Sequence, residues 1–320
     1  MRIDTSRGVN EAGYVTIGGI EQWVQIRGLD RNNPVVFWLN GGPGFSTIPD
    51  TYFVRSWEKQ FTVVMWDQRG EGKTFEKSGT SVATTMTIDQ MTKDGIEVAE
   101  YVRKVLHKDK IILLGHSWGS ILGVHMVKQR PDLFSVYTGV GQIVSLAESA
   151  AVAYPLLLEK ARKLGNNTAE RQLLAVGPPP YPHEGSQQFV WIFWANQFDP
   201  PPNQNPMHTP GALWIEIRKF LSHKTDFPPD AKFSQETMWK ELLRDDLRAL
   251  GPQFLLPIVM IEGAEDLVAV TSLAKAYFDE IEAPQKEFIF LPNQGHLAIF
   301  NDRHFLTELE MHVRPSAMTK

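Results

Sequence analysis

The apolar positions of this chain change their period along its length, and those changes divide it into elements. Residues 14–28, YVTIGGIEQWVQIRG, alternate apolar and polar positions on both sides of Gly18 and Gly19, which predicts a β-hairpin. Three short runs are apolar throughout: PVVFWLN (Pro34 to Asn40), FTVVMWD (Phe61 to Asp67) and KIILLG (Lys110 to Gly115). Such runs fit strands covered on both faces. Between them, Ile88, Met91, Ile96, Val98, Val102 and Leu106 follow helical spacing and predict a helix over Thr87 to Leu106. A second helix is predicted from Trp118 to Gln129, stopped by Pro131, and LFSVYTGVG is a further strand. Strands alternating with helices predict a mostly parallel sheet with helices on both faces.

The pattern breaks after Ile143. Helical segments follow without strands between them. Prolines cluster in GPPPYPHEG and FDPPPNQNPMHTPG, and Trp191, Phe193, Trp194, Phe198 and Trp214 interleave with them. The first pattern resumes near Pro257, with PIVMIEG as a strand, Ser272 to Ile281 as a helix, KEFIFLP as a strand and a helix after His296. The expected organisation is an α/β core over residues 1–142 and 250–320, with a helical cap inserted over 143–249.

Composition narrows the classes. Of 320 residues, 42% are hydrophobic and 22% charged, as in soluble globular proteins. The net charge of -5 comes without a basic run, which argues against nucleic acid or a membrane surface as partner. The chain has no cysteine, so a disulfide, a thiolate metal site and a cysteine nucleophile are excluded. The first residues lack the apolar stretch of a signal peptide. No run approaches the roughly 20 apolar residues of a membrane span. A cytoplasmic protein acting on a small molecule or short peptide is expected.

The chemistry is concentrated where strands end. In LLGHSWGS, Ser117 stands between Gly115 and Gly119 at the junction of a strand and a helix. That spacing describes a sharp turn that exposes a hydroxyl and needs small residues on either side. A serine nucleophile requires a base, and the base an orienting acid. Of nine histidines, His107, His183, His208, His223 and His312 lie in polar or loop contexts, and His125 and His304 lie within helices. His116 adjoins Ser117 but is expected to point elsewhere. His296 follows a buried strand and a glycine loop, NQG, which puts it at a strand's carboxyl edge. Asp266 holds the equivalent place after PIVMIEGAE; Glu262 and Glu265 are alternatives, and Glu262 still belongs to the strand. The order Ser117, Asp266, His296 is the one expected for a triad on this fold. The loop LNGGPGFS supplies glycines whose N–H groups can approach a substrate oxygen, and Gly42 and Trp118 are the candidate oxyanion donors. DQRGEGKT looks like a phosphate-binding loop but has Asp67 where that motif needs glycine. No HExxH or similar cluster points to a metal.

Taken in order, NGGPG, WDQRGEGKT, GHSWGS, GAEDLV and NQGH resemble the prolyl iminopeptidase branch of the α/β-hydrolase family. The resemblance implies a sheet of about eight strands, a helical cap and a triad of Ser117, Asp266 and His296, with Gly42 and Trp118 at the oxyanion positions and no cofactor. It implies a structural role for Asp67 to Gly70. It makes Asn40, Gly41, Trp191 and Trp194 candidate substrate contacts. Members that cleave N-terminal proline share W-x-x-W-E, whose glutamate helps hold the substrate amine; here the stretch reads WIFWAN, with Ala195 at that place. The loop begins with Asn40 where the family has histidine, and YTGVGQ replaces an arginine-glycine. Asp199, Glu184 and Glu216 are candidates for the missing carboxylate. Two substrate readings follow: a peptide or amide with a small N-terminal residue, or an uncharged ester, lactone or amide.

Overall fold

The computed structural model describes residues 3–48, 53–181, 187–200 and 228–318. Its sheet contains β1 (Val9–Ile17), β2 (Ile20–Gly28), β3 (Val35–Leu39), β4 (Thr62–Asp67), β5 (Ile111–His116), β6 (Phe134–Val140), β7 (Ile258–Gly263) and β8 (Lys286–Leu291), in the spatial order β1-β2-β4-β3-β5-β6-β7-β8. β1 and β2 form the antiparallel hairpin, β2 is antiparallel to β4, and every pairing from β4 to β8 is parallel.

The continuous apolar runs are explained by two cores. Every residue of β3, β4, β5 and β7 is buried. Alternate side chains of one strand enter different layers: Ile111 and Leu113 of β5 join one cluster, Ile112 and Leu114 the other. A strand with a core on each face has no polar side to show, so its period of two is hidden in the sequence.

Helices α1 (Gly72–Ser78), α2 (Ile88–Leu106) and α3 (Trp118–Gln129) lie between the strands of the first half. The side chain of Thr87 caps α2 by accepting the Gln90 N–H at 3.1 Å. Between β6 and β7 come α4 (Leu146–Lys163), α5 (Asn167–Val176), α6 (Gln187–Phe198) and α7 (Pro229–Leu242), and no strand interrupts them among the described residues. α8 (Thr271–Glu280) links β7 to β8. The helix expected after His296 is broken: a 3-10 turn at Ala298–Phe300 precedes α9 (Asp302–Glu308), which runs through a π turn at Leu309–Val313.

β1 begins five residues earlier than the apolar alternation shows. Val9 is buried in the core, but Asn10, Glu11 and Ala12 after it are exposed on this edge strand and are held by pairing with β2, so the apolar alternation is interrupted there. None of the helices among the described residues is long and apolar enough to cross a membrane.

Candidate active site

Asn40 follows β3, Ser117 follows β5, Gly141 follows β6, and Asp266 and His296 follow β7 and β8. All five therefore lie beyond the carboxyl ends of parallel strands, where open α/β sheets form their binding crevices.

Ser117 sits at φ 55 and ψ -122, immediately before α3. A side chain rarely occupies this region, and the packing around the turn holds it there. The two flanking glycines are required by contact. A Cβ on Gly115 would overlap the Gly119 carbonyl oxygen, and one on Gly119 would overlap the carbonyl oxygen of Leu39 in β3. The helix is thus drawn against two strands while its leading hydroxyl is raised above them.

The structure brings the three predicted residues together. His296 Nε2 lies 2.8 Å from Ser117 Oγ, and His296 Nδ1 lies 2.8 Å from Asp266 Oδ2. The other Asp266 oxygen accepts the N–H groups of Val268 at 2.7 Å and Ala269 at 2.9 Å. Burial alone would push the Asp266 carboxyl up, but His296 and these two N–H groups outweigh it and hold Asp266 below its ordinary value. Asp266 stays ionised, so it fixes the Nδ1–H tautomer and leaves Nε2 free to accept from the hydroxyl. Glu265 is instead at the surface, 3.8 Å from Lys160. Glu262 is fully buried and accepts the Gln142 N–H, away from the imidazole.

Two further residues hold His296 by its main chain. His116 Nε2 lies 2.9 Å from the His296 carbonyl oxygen. A carbonyl only accepts, so His116 carries its proton on Nε2. Burial and the neighbouring His296 ring push His116 down to about 3, which keeps it neutral. The His296 N–H donates to Asp199 Oδ2 at 2.5 Å. The other Asp199 oxygen is shielded from solvent and has no partner among the described residues. Burial and the charge of Asp266 raise Asp199 well above the carboxylate range, against the His296 N–H. Asp199 was one of three carboxylates raised by the sequence; Glu184 and Glu216 lie outside the described residues. The part played by His116 was missed, and its one signal is adjacency to Ser117 at the end of a buried strand.

The glycine loop approaches the hydroxyl closely. A Cβ on Gly41 would stand 3.2 Å from the Ser117 Cβ, and Gly42 has φ +141. The Trp118 N–H is in the first turn of α3, where helix N–H groups have no partner within the helix. Asn40, expected near substrate, is 1% exposed and tied into the scaffold. Its amide donates to Phe45 O at 2.7 Å and to Glu71, and accepts from Gln68 Nε2 at 3.1 Å. Gln68 Oε1 in turn accepts the Trp118 indole N–H at 2.9 Å. A buried hydrogen-bond chain therefore joins the glycine loop, the 67–71 loop and the start of α3. Trp191 and Trp194 are also packed inward, at 1% and 8% exposure, and the Trp194 indole donates to Gln172 of α5 at 3.0 Å. Their local role is to join α5 and α6.

The likeness of DQRGEGKT to a phosphate loop fails structurally too. The N–H groups of Gly72 and Lys73, which open α1, are already taken by the Asp230 and Asp67 carboxylates at 2.9 and 2.8 Å. Two carboxylates stand where a phosphate would.

The fold and the site together define a class. The α/β hydrolase fold family model matches residues 34–302, and the chain belongs to that family. A probable aminopeptidase of Bacillus subtilis (strain 168), YbaC, is 30% identical over 319 residues, covering 94% of this chain and 95% of the relative. Two solved structures share the fold: a proline iminopeptidase-related protein of Thermus thermophilus, with TM-score 0.63 at 18% identity over 97% of this chain and 98% of the other, and the proline iminopeptidase of Mycobacterium smegmatis, with TM-score 0.65 at 17% identity over 96% and 99%.

Proposed function

We propose that the protein is a serine hydrolase with aminopeptidase-like specificity. The observation that carries this reading is the unbroken chain from Ser117 Oγ through His296 to Asp266, with both links at 2.8 Å. In the reaction, Ser117 Oγ bonds to the substrate carbonyl carbon while His296 Nε2 takes the hydroxyl proton. Asp266 stabilises the imidazolium. The oxyanion is received by the Gly42 and Trp118 N–H groups, each worth about 3 kcal/mol in such sites. The proton passes from His296 to the leaving amine as the carbon–nitrogen bond breaks. Water then attacks the acyl-enzyme, giving its proton to His296, and Ser117 is released.

The specificity rests on the length of the match to a probable aminopeptidase and on Asp199. A buried ammonium needs a compensating carboxylate. Asp199 comes four residues after Ala195, one helical turn beyond the glutamate position of the resembled family, and its Oδ1 lacks a partner among the described residues. It is the group assigned to the substrate amine. Ala195 itself favours the second reading, an esterase, lactonase or amidase for uncharged substrates.

The test is kcat/KM on proline p-nitroanilide and p-nitrophenyl butyrate, with Ser117→Ala as control. Anilide turnover that disappears in the variant is expected. Ester turnover alone would select the second reading, and activity surviving in Ser117→Ala would remove the mechanism.

A further inference from the structure

His296 is held by two main-chain bonds that come from different parts of the molecule. Its carbonyl takes the His116 Nε2–H, from the end of β5 in the middle of the sheet. Its N–H is taken by Asp199, from the segment that follows α6 between β6 and β7. The first support is part of the rigid sheet. The second reaches the loop after β8 from 97 residues away in sequence.

The residue before His296 makes room for that second support. A Cβ on Gly295 would overlap the Asp199 carboxylate, whereas Gly295 is not among the glycines with positive φ. The requirement for glycine there is the approach of the carboxylate, not the turn.

We propose that Asp199 is a positioning residue for the base, fixing the His296 main chain from the helical region so that Nε2 meets Ser117 only while the end of α6 is seated. This rests on His296 being the base of a serine hydrolase. It gives the helical region a direct mechanical hold on the base. An imidazole displaced by about 1 Å loses on the order of a hundredfold in rate, so a single main-chain bond at this point has leverage. An ammonium bound at Asp199 Oδ1 would favour the ionised carboxylate and strengthen its bond to the His296 N–H. Substrates with a free amine would then tighten the base that acts on them.

The experiment compares wild type, Asp199→Ala, Asp199→Asn and Gly295→Ala in two measurements. One is the rate at which a small fluorophosphonate labels Ser117. The other is amide hydrogen exchange of the peptide containing His296. Asp199→Ala is expected to label about tenfold more slowly and to exchange faster at His296, and Gly295→Ala, which displaces the carboxylate without deleting it, to do the same. Asp199→Asn keeps an acceptor oxygen and is expected to recover both readouts toward wild type. A merely structural role would lower the melting temperature of all three variants without the rescue by Asn. If Asp199→Ala and Gly295→Ala leave both readouts unchanged, or Asn fails to rescue, the proposal is overturned. If wild type is not labelled, the serine-hydrolase reading fails instead, and the exchange measurement alone decides whether Asp199 holds His296.

Discussion

Glu262 accepts the main-chain N–H of Gln142 at 3.0 Å, which fastens the end of β7 to the loop after β6. That loop carries Gly141, where a Cβ would lie 3.0 Å from His296 Nδ1 and 3.3 Å from Asp266 Oδ2. Burial and the charge of Asp266 raise Glu262 well above the carboxylate range, so it serves as a neutral strut. The two acids that compete for one role by sequence therefore part in behaviour. Asp266→Asn is expected to lower kcat by about 10⁴-fold, as when such an orienting acid is lost. Glu262→Gln, neutral and of the same shape, is expected to stay within about tenfold of wild type. Steady-state kinetics on one chromogenic substrate separates them, and equal losses would refute the division of roles.

The turn at Ser117 depends on Gly119. A Cβ there meets the carbonyl oxygens of Leu39 and, at 2.7 Å, Asn40. These are backbone atoms at the end of β3 and directly after it, and they cannot swing aside. Gly119→Ala is expected to destabilise the fold by about 1–3 kcal/mol, the usual cost of overpacking. It is also expected to lower kcat, because relief comes by moving α3 and with it Ser117. Urea unfolding with parallel kinetics checks both. An alanine variant with unchanged midpoint and rate would mean the turn tolerates more than its contacts indicate.

Asp67 links the site's supports to pH. Burial pushes it up to about 6, against the Ser46 hydroxyl and the Lys73 N–H, with Asp230 adding to the rise. A carboxyl whose folded value is raised from 3.8 contributes stability that is full below pH 4 and lost as pH climbs through 6. A difference of about two pH units corresponds to about 3 kcal/mol. Asp67→Asn removes this titration. The stability of the variant relative to wild type is therefore expected to rise by about 3 kcal/mol between pH 4 and pH 8. Asp266 has the opposite sign, since its lowered value costs stability as pH falls. Denaturant titrations at pH 4 and pH 8 decide the matter, and a pH-independent difference would place Asp67 outside this linkage.

The parallel sheet was legible in the sequence because strands buried on both faces read as short apolar blocks, and α3 ran from Trp118 to Gln129 in both readings. Ser117 and Asp266 were legible because each follows such a block. His296 was expected after a buried strand too, but β8 lies at the sheet's edge and only Leu291 of it is buried, so its apolar residues and the glycine loop marked the place without the burial. Other features were hidden for physical reasons. In the first half of β1 only Val9 is buried, and the three exposed residues after it break the alternation. Asn40, Trp191 and Trp194 were expected at the substrate, yet Asn40 and Trp194 spend their polar groups on Glu71, Gln68 and Gln172, and Trp191 is packed inward. A motif gives a residue's place in the chain but not which way its hydrogen bonds run. The bonds from His116 and Asp199 to the His296 main chain span 180 and 97 residues, and no local pattern encodes them.

Arg69 lies within the DQRG stretch. Its side chain is 2% exposed and faces Asp94 of α2, which is 0% exposed, with Nε–Oδ2 at 2.9 Å. The guanidinium also donates to Gly18 O at 3.0 Å and to Thr85 Oγ1 at 3.1 Å. Asp94 receives Gln22 and Gln90 in addition, each at 2.8 Å. The pair thus ties the hairpin, the 67–71 loop and α2 together. Removing one member leaves a buried charge uncompensated, so Arg69→Ala is expected to cost about 3–5 kcal/mol. Lysine lacks the planar fork and is not expected to rescue. Replacing both members by apolar residues, Arg69→Met with Asp94→Leu, is expected to recover most of the loss, because no lone charge remains. Where the single variant is folded, its kcat should stay near wild type, since the pair supports the 67–71 loop and makes no contact with Ser117 or His296. Urea midpoints for the two singles and the double, with kinetics below the transition, test each step. A large kcat loss in folded Arg69→Ala would move Arg69 from the scaffold into the site.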